Sequence, residues 1–465
     1  MTGLGAPARG RLVGESAEAR VADALTVRGG IIAALVCLLP MFAQTFQYVV
    51  DAPPLYVLSK AWPILTAPLA LLAVTRIATP FKPLVLATIA WTWGLAPAIS
   101  IIELGNSYVG AASTTLKVLS LSFAFSLPAV LAIVKPTREE LRRAVIGLGV
   151  ATFVIMTLLF VLAPDSFYDQ GILETKLFLK DEGRGKRIYA PMFFGMMSIF
   201  FLNRSFWLRP RVWKAVAGAV AFLLLILIYK QRTAIAAALL CVLIGAVLSL
   251  PRGRLTVAAL LIAVGAWPML ILIQSISSDL HSGFGSSFSV RQMELIAALA
   301  FLNDEPLRWL TGVGSMTRAG DVSFADVVDA DVFFLADLGW IGVVFEYGAI
   351  GAGLLLLLHL AVIWTCARVA AASRDPLPWA LLDYSIFILA SSAVYSVVFA
   401  PGELMTCLGL AWWFKRSGSD EDAAPPGKVL WDLARRSGTQ AGGSRGVMLG
   451  RRPSAPRPAG SPGPS

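Results

Sequence analysis

The chain is poor in charge and in the side chains that most soluble enzymes use for chemistry. Of its 465 residues only 15% are charged and two are histidines, whereas 57% are hydrophobic. A soluble globular protein carries about 25% charged residues, so that class is excluded. The four cysteines have no C-x-x-C spacing, and we expect neither a zinc site nor a disulfide framework. Walker, Rossmann, H-E-x-x-H and nucleophile-elbow patterns are missing as well, which weakens ATPase, redox and hydrolase interpretations.

Long apolar blocks are what the sequence has in excess. Each is roughly 17 to 25 residues long, the length that a helix needs to cross a bilayer. We therefore predict an all-α, polytopic membrane helix bundle of about twelve transmembrane helices. The predicted spans are 31–50, 56–75, 83–102, 112–134, 144–163, 188–203, 215–229, 233–250, 255–274, 340–365, 377–397 and 399–414.

Basic residues lie mainly in short loops between these blocks, and the net charge is +10. They fall on one side only if the chain turns at Lys230–Arg232, which gives a topology with both termini cytoplasmic. The predicted organisation has a cytoplasmic N-terminal tail (1–30), helices 1–9 (31–274), a large outside loop (275–339), helices 10–12 (340–414) and a disordered cytoplasmic tail rich in Pro, Gly, Ser and Arg (415–465).

The large outside loop contains a predicted amphipathic helix. Ser289 begins a capping-box pattern, and Pro306 and the Gly312–Gly314 turn follow the helix. Apolar residues recur at helical spacing and predict the face that lies on the bundle: Met293, Ile296, Ala297, Ala300 and Phe301. A second helical run is predicted from Phe324 to Leu338.

Cations at the outer helix ends are candidates for binding an anion. Lys230 and Arg232 are either helix-end anchors or a clamp that holds a phosphate through charge-assisted hydrogen bonds. Arg291 and Glu294 form either a surface ion pair or, through Arg291, a second contact to the same phosphate.

Acidic residues near the membrane boundary are candidates for a general base. Partial burial of Asp337 would raise its pKa toward that range, whereas a solvated loop carboxylate is the alternative. Asp329 and Asp331 remain alternatives for the working acid. Within the predicted spans lie three acids, Glu346, Asp383 and Glu403, and Lys60 and Lys117 could neutralise some of them.

Three stretches resemble the O-antigen polymerase and ligase superfamily, the Wzy and WaaL proteins of bacterial envelope glycan assembly. Lys230–Ala236 is similar to the family's turn at the outer end of a span. Ser289–Arg291 followed by Pro306–Ser315 is similar to its Arg helix and Gly-x-Gly turn. Asp337–Gly351 resembles the segment that closes the loop and enters the next span.

The resemblance implies a GT-C-like bundle with a periplasmic loop in the bacterial inner membrane. It implies a metal-independent, inverting polymerisation of undecaprenyl-diphosphate-linked repeat units into exopolysaccharide or O-antigen. Arg232 and Arg291 would stabilise the leaving diphosphate, and Asp337 would activate the acceptor hydroxyl. Four further residues would bind substrate: Arg187, Lys230, Glu294 and Asp331.

No cofactor, metal or nucleic acid is expected. The expected partners are the lipid-linked glycan, membrane lipid, and a flippase and a chain-length regulator as candidate proteins. Ligase-type members carry a His-Asn pair where Asp337 stands, so the polymerases fit better. Two alternatives remain: ligase-type glycan transfer, and transport of a lipid-linked sugar by a carrier or flippase.

Overall fold

The computed structural model describes residues 29–169, 177–181, 185–249, 286–315, 335–393 and 401–422, and only the backbone at 181, 286–291, 336–337 and 418–422. Of these residues 82% are helical. The helices are α1 (Gly29–Phe42), α2 (Pro53–Leu65), α3 (Ala67–Arg76), α4 (Lys82–Ile89), α5 (Ala96–Leu104), α6 (Tyr108–Thr114), α7 (Phe123–Val134), α8 (Arg138–Leu162), α9 (Phe193–Leu208), α10 (Val212–Leu224), α11 (Arg232–Ser249), α12 (Ser286–Asn303), α13 (Pro306–Thr311), α14 (Trp340–Ala372), α15 (Pro376–Ser391) and α16 (Pro401–Asp422).

Six helices in the described ranges are long and apolar enough to cross a membrane, or seven if the bent run Tyr108–Val134 is one span. They are Pro53–Arg76, Lys82–Leu104, Arg138–Leu162, Val212–Tyr229, Arg232–Ser249 and Trp340–Ala372. The predicted count of about twelve stays a prediction, and the predicted span 255–274 lies outside the described residues.

Several helix boundaries differ from the predicted spans. The first helix ends at Phe42, where the chain enters turns, although the apolar run continues to residue 50. The helix Phe193–Leu208 begins and ends later than the predicted 188–203, and α16 continues past residue 414 to Asp422. Hydropathy follows the apolar block, whereas backbone hydrogen bonding fixes the helix ends.

Local sequence sets the start of α8. The Thr137 hydroxyl accepts a hydrogen bond from the Glu140 amide (3.2 Å), and the Glu140 carboxylate accepts one from the Thr137 amide (2.9 Å). This capping box satisfies N–H groups that the first helical turn leaves without a partner. Further along, Leu141, Val145 and Met156 are buried, whereas Val154 and Leu158 are exposed on the face that lipid would cover.

Contacts between helix ends define a basic end of the bundle. Arg138, at the start of α8, donates hydrogen bonds to the Phe414 carbonyl and the Ser417 hydroxyl of α16. Arg142, one turn later, pairs with Asp375 just before α15 (3.3 Å). Arg209 at the end of α9 and Lys214 at the start of α10 line a cavity together with Arg142 and Asp375. Basic residues from several separate loops therefore lie together at this end.

A two-stranded hairpin lies at the opposite end, which we call the hairpin end. Strands β1 (Phe178–Asp181) and β2 (Gly185–Ile188) pair antiparallel, with Leu179 opposite Arg187. Lys186 of β2 forms an ion pair with Asp165, which follows the far end of α8. The hairpin is therefore held where α8 ends, about 37 Å of helix away from the basic end at 1.5 Å per residue.

A buried ion pair joins α9 to α15 in the bundle interior. The Arg204 guanidinium donates two hydrogen bonds to the Asp383 carboxylate, at 2.7 and 2.5 Å, and both side chains are at most 2% exposed. Arg204 also donates to the Gly245 carbonyl of α11 (2.9 Å) and lies over the Trp379 ring. The pair thus ties three helices together, and the buried charge is compensated by groups of the protein itself.

The loop helix α12 differs from its predicted form in two respects. It begins at Ser286, so Ser289 lies inside the helix and is not its N-cap. Its buried residues are Glu294, Ala298 and Leu302, whereas Met293 and Ile296 are 64% and 60% exposed. Met293 and Ile296 of the predicted packing face are therefore exposed, whereas Phe301 of that face packs against Phe345. Apolar periodicity does not distinguish a face that packs on protein from one that lipid would cover.

Candidate functional site

The corner between the hairpin and α10 brings together two residues predicted to bind substrate. Lys230 ends the π-helical turn Leu225–Tyr229 in a left-handed conformation (φ 54°). Its ammonium donates a hydrogen bond to the Lys186 carbonyl of β2 (2.9 Å). Arg187 is the next residue of that strand and is partly buried. Two predicted basic residues that lie far apart in sequence are thus neighbours in the fold.

A stacked pair of tyrosine rings packs at this corner. Tyr189 and Tyr229 stack with their ring centroids 5.8 Å apart and their planes 12° from parallel. Tyr229 also donates a hydrogen bond to Gln231. Arg232, the first residue of α11, follows immediately and its side chain is exposed. The corner therefore groups the cations Lys230, Arg187 and Arg232, of which Lys230 and Arg187 are partly buried and Arg232 is exposed.

Acidic residues of the hairpin end pair with its lysines. Hydrogen bonding and the charge of Lys186 lower the pKa of Asp165, and Asp169 raises the pKa of Lys180 in the same way. Both ion pairs are exposed to solvent, so they orient the hairpin and contribute little to stability. Lys186 and Lys180 are thereby neutralised, whereas Arg232 forms no ion pair within the part of the chain that the structure describes.

The segment that carries Asp337 packs against the helix that carries Arg291. Leu335–Leu338 forms a 3-10 turn that contacts α12, and both elements contact α14. Trp340, at the start of α14, donates a hydrogen bond to Ser392 after the end of α15 (2.9 Å). Since α15 begins at the basic end, this turn lies at the hairpin end of the bundle. Asp331 and Asp329 lie outside the described residues.

The Gly-x-Gly turn inserts where α14 is broken. Gly348 has φ 65° and ψ 179° inside α14, a conformation confined to glycine. The amides of Val313 and Gly314 donate to the carbonyls of Phe345 and Glu346, at 2.8 and 3.1 Å. The two loop stretches that carry the family resemblance, Pro306–Ser315 and Asp337–Gly351, are thus in direct contact.

Polar side chains support this junction from the bundle. Lys117 forms an ion pair with Glu346, and both side chains are largely buried. The Ser315 hydroxyl donates to the Tyr347 hydroxyl (3.1 Å), and the Trp91 indole donates to the Tyr347 carbonyl (2.9 Å). The predicted neutralisation of a span acid by Lys117 is confirmed. These groups hold the turn that follows the loop helices against the bundle.

Glu403, one of the three acids within the predicted spans, lies at the hairpin end. The Tyr384 hydroxyl donates to its carboxylate (2.7 Å), and the Glu403 side chain remains partly exposed. The preceding Gly402 donates its amide to Gln44 after α1 (2.8 Å). The sequence indicated only that a lysine could neutralise this acid, whereas the tertiary structure gives it the Tyr384 hydroxyl as a hydrogen-bond donor.

The predicted site residues thus form two groups at one end of the bundle. Arg187, Lys230 and Arg232 lie at the hairpin corner, and Arg291, Glu294 and Asp337 lie on the packed loop elements. Glu294 is buried, whereas the side chains of Arg291 and Asp337 lie outside those described. In the described ranges, no group of three or more His, Cys, Asp and Glu residues is arranged to hold a metal ion.

The chain shows a distant likeness to a solved structure. No family model and no curated protein matches the chain. The chain is similar to a protein in a peptidoglycan synthase complex described for its structural coordination of polymerization and crosslinking. The sequences are 17% identical over 74% of this chain and 98% of that one, with a TM-score of 0.41. Because such a TM-score does not establish a common fold, the functional assignment depends on this chain's own residues.

Proposed function

We propose that this protein is a membrane-bound glycan polymerase that joins repeat units carried on undecaprenyl diphosphate. The reaction would take place at the hairpin end, on the periplasmic face of a bacterial inner membrane, with both chain termini in the cytoplasm. The resemblance to the O-antigen polymerases and the several apolar, membrane-length helices of the chain support this proposal.

The observation that carries the proposal is the gathering of the motif residues at one end. Lys230 contacts the strand of Arg187, and the turn of Asp337 packs on the helix of Arg291. The short basic loops lie at the opposite end, which the positive-inside rule assigns to the cytoplasm. Cations for a diphosphate and a carboxylate for an acceptor would therefore lie on the same side, where an exported lipid-linked sugar would be accessible.

Two groups of residues would divide the chemistry. Arg232 and Arg291, assisted by Lys230 and Arg187, would bind the diphosphate and stabilise its negative charge as it leaves. Asp337 would accept the proton of the acceptor hydroxyl, with Glu294 and Asp331 contributing to acceptor binding.

The proposed transfer needs neither a metal ion nor a second activated substrate. The acceptor oxygen forms a new bond to the anomeric carbon of the donor glycan from the face opposite the diphosphate. The bond from that carbon to the diphosphate oxygen breaks, and undecaprenyl diphosphate leaves with the electron pair. Inversion at the anomeric carbon follows from the single displacement.

Deletion of the gene and rescue by variants test the proposal. Loss of the protein should shorten surface glycan to single lipid-linked repeat units, and wild type should restore long chains. Asp337→Ala, Arg232→Ala and Arg291→Ala should each fail to restore them, because losing a general base or a charge-stabilising donor costs about 10²- to 10³-fold in rate. Glycan size is read on gels, and membrane abundance of each variant by immunoblot.

Matched controls separate a local effect from general damage. Asp304→Ala removes an exposed acid that follows α12, and Arg143→Ala removes an exposed arginine at the basic end. Both should restore long chains. Full rescue by all three site variants would contradict the proposal. Long chains retained on the carrier after deletion would indicate a ligase, and an unchanged glycan profile with lost uptake of labelled lipid-linked sugar would indicate a transporter.

A further inference from the structure

A cavity of about 380 Å³ opens at the basic end between α8, α9, α10 and α15. Four cationic side chains and one carboxylate line it, namely Arg142, Arg209, Lys214, Arg374 and Asp375. The proposed glycan chemistry lies at the other end of the bundle and uses none of these residues. The proposed glycan chemistry therefore does not account for this cavity.

Only part of this positive charge is neutralised by the protein. Arg142 pairs with Asp375 (3.3 Å) and with Glu139 on its own helix. Lys214 donates to the backbone carbonyls of Ser205 and Arg209, at 2.8 and 3.0 Å, and so closes the end of α9 without an acidic partner among the described residues. In the part of the chain that the structure describes, Arg209 and Arg374 form no ion pair.

Most of the remaining lining is apolar and continues onto a surface that lipid would cover. Phe201, Leu208, Trp213 and Pro376 form this apolar part, Ser205 completes the wall, and Trp213 is 57% exposed. From the cavity, Val212, Val216 and Val220 form an exposed row along one face of α10, within the span Val212–Tyr229. A tryptophan beside arginines at the start of a span is typical of the headgroup level of a bilayer.

We propose that this cavity binds the phosphate headgroup of an anionic phospholipid. The phosphate would lie between Arg209, Arg374 and Lys214, and an acyl chain would follow the valine row of α10. Charge complementarity selects an anion, and basic pockets between membrane helices suit such headgroups. The adjoining apolar row favours a lipid over free phosphate, because it gives an acyl chain attached to the bound headgroup a surface to pack on. This site is independent of the proposed glycan transfer.

Lipid binding to the full-length protein in detergent tests the proposal. Phosphatidylglycerol should raise the thermal unfolding temperature and remain bound in native mass spectrometry, whereas phosphatidylcholine should do neither. The variant Arg209→Gln/Arg374→Gln should bind phosphatidylglycerol about tenfold or more weakly, since each basic residue near an anionic headgroup contributes on the order of a few-fold in affinity.

The control variant Arg143→Gln and inorganic phosphate as a soluble anion complete the experiment. Arg143→Gln removes a cation at the same end that pairs with Glu139 and does not line the cavity, and it should bind lipid as wild type does. Equal unfolding temperatures in phosphatidylcholine show that the double variant is folded. Equal lipid affinity of the double variant and wild type would overturn the proposal. So would stabilisation by inorganic phosphate equal to that by phosphatidylglycerol, because the site would then bind free phosphate.

Discussion

Replacing Gly348 with alanine tests whether the break in α14 holds the loop elements on the bundle. A Cβ atom there would lie 2.5 Å from the Gly312 amide nitrogen and closer still to the Leu310 carbonyl. Both neighbours are backbone atoms, so a side-chain rotation cannot relieve the overlap. The φ of 65° and ψ of 179° add strain of about 1–3 kcal/mol for a residue other than glycine.

The expected loss of stability is the sum of the steric overlap and the backbone strain. Overlap in a packed site costs about 1–3 kcal/mol beyond the backbone strain, so Gly348→Ala should lower the free energy of unfolding by about 3 kcal/mol or more. Glycan polymerisation should fall as well, because the Gly312–Gly314 turn is displaced from Phe345 and Glu346 and α12 loses its support.

Gly353→Ala is the matched control in the same helix. No atom lies within 4 Å of the position that a Cβ would take at Gly353, and alanine favours a helix over glycine by about 0.5–1 kcal/mol. Thermal unfolding in detergent measures both variants, and hydrogen exchange of α13 reports on the turn. If Gly348→Ala unfolds at the same temperature as Gly353→Ala, the inserted turn does not support the loop, and the reasoning is refuted.

Two further predictions concern ion pairs at different depths. Asp383→Leu leaves Arg204 buried without its carboxylate and should cost about 3–5 kcal/mol in thermal stability, which Arg204→Leu/Asp383→Leu should largely restore; equal instability of the single and double variants would contradict this. At the surface, Lys186 lowers the pKa of Asp165 below its ordinary 3.8, so the contact stabilises the hairpin above that pH and is lost as pH falls through the lowered value. The protection of hairpin amides against hydrogen exchange, corrected for the intrinsic pH dependence of exchange, should therefore fall at low pH in wild type, and Asp165→Asn should show the lower protection already at neutral pH; identical protection in the two proteins at neutral pH would argue against the contact.

Several features could be predicted from local sequence because they depend on few neighbouring residues. The apolar blocks indicated the helices, and Lys230 interrupts two of them as expected from its charge at a span boundary. Lys117 was named as a cation able to neutralise a span acid, and it pairs with Glu346. A charge inside an apolar block is costly, so the sequence restricts its partners to the few opposite charges available.

Other features depend on how helices pack and could not be read from periodicity. Arg204 follows a predicted span as a loop residue would, yet it is buried against Asp383 on a helix far along the chain. The buried face of α12 includes Glu294 and leaves Met293 exposed, because lipid and protein both accept apolar side chains.

The sequence alone determined that the chain builds apolar, membrane-length helices and which short loops carry positive charge, since both follow from the cost of polar groups in hydrocarbon. Tertiary structure decided that Lys230 contacts the strand of Arg187, and that the Gly312–Gly314 turn fills the break at Gly348. Each of these contacts joins segments that are far apart in the sequence, and their separation along the chain does not predict their distance in space.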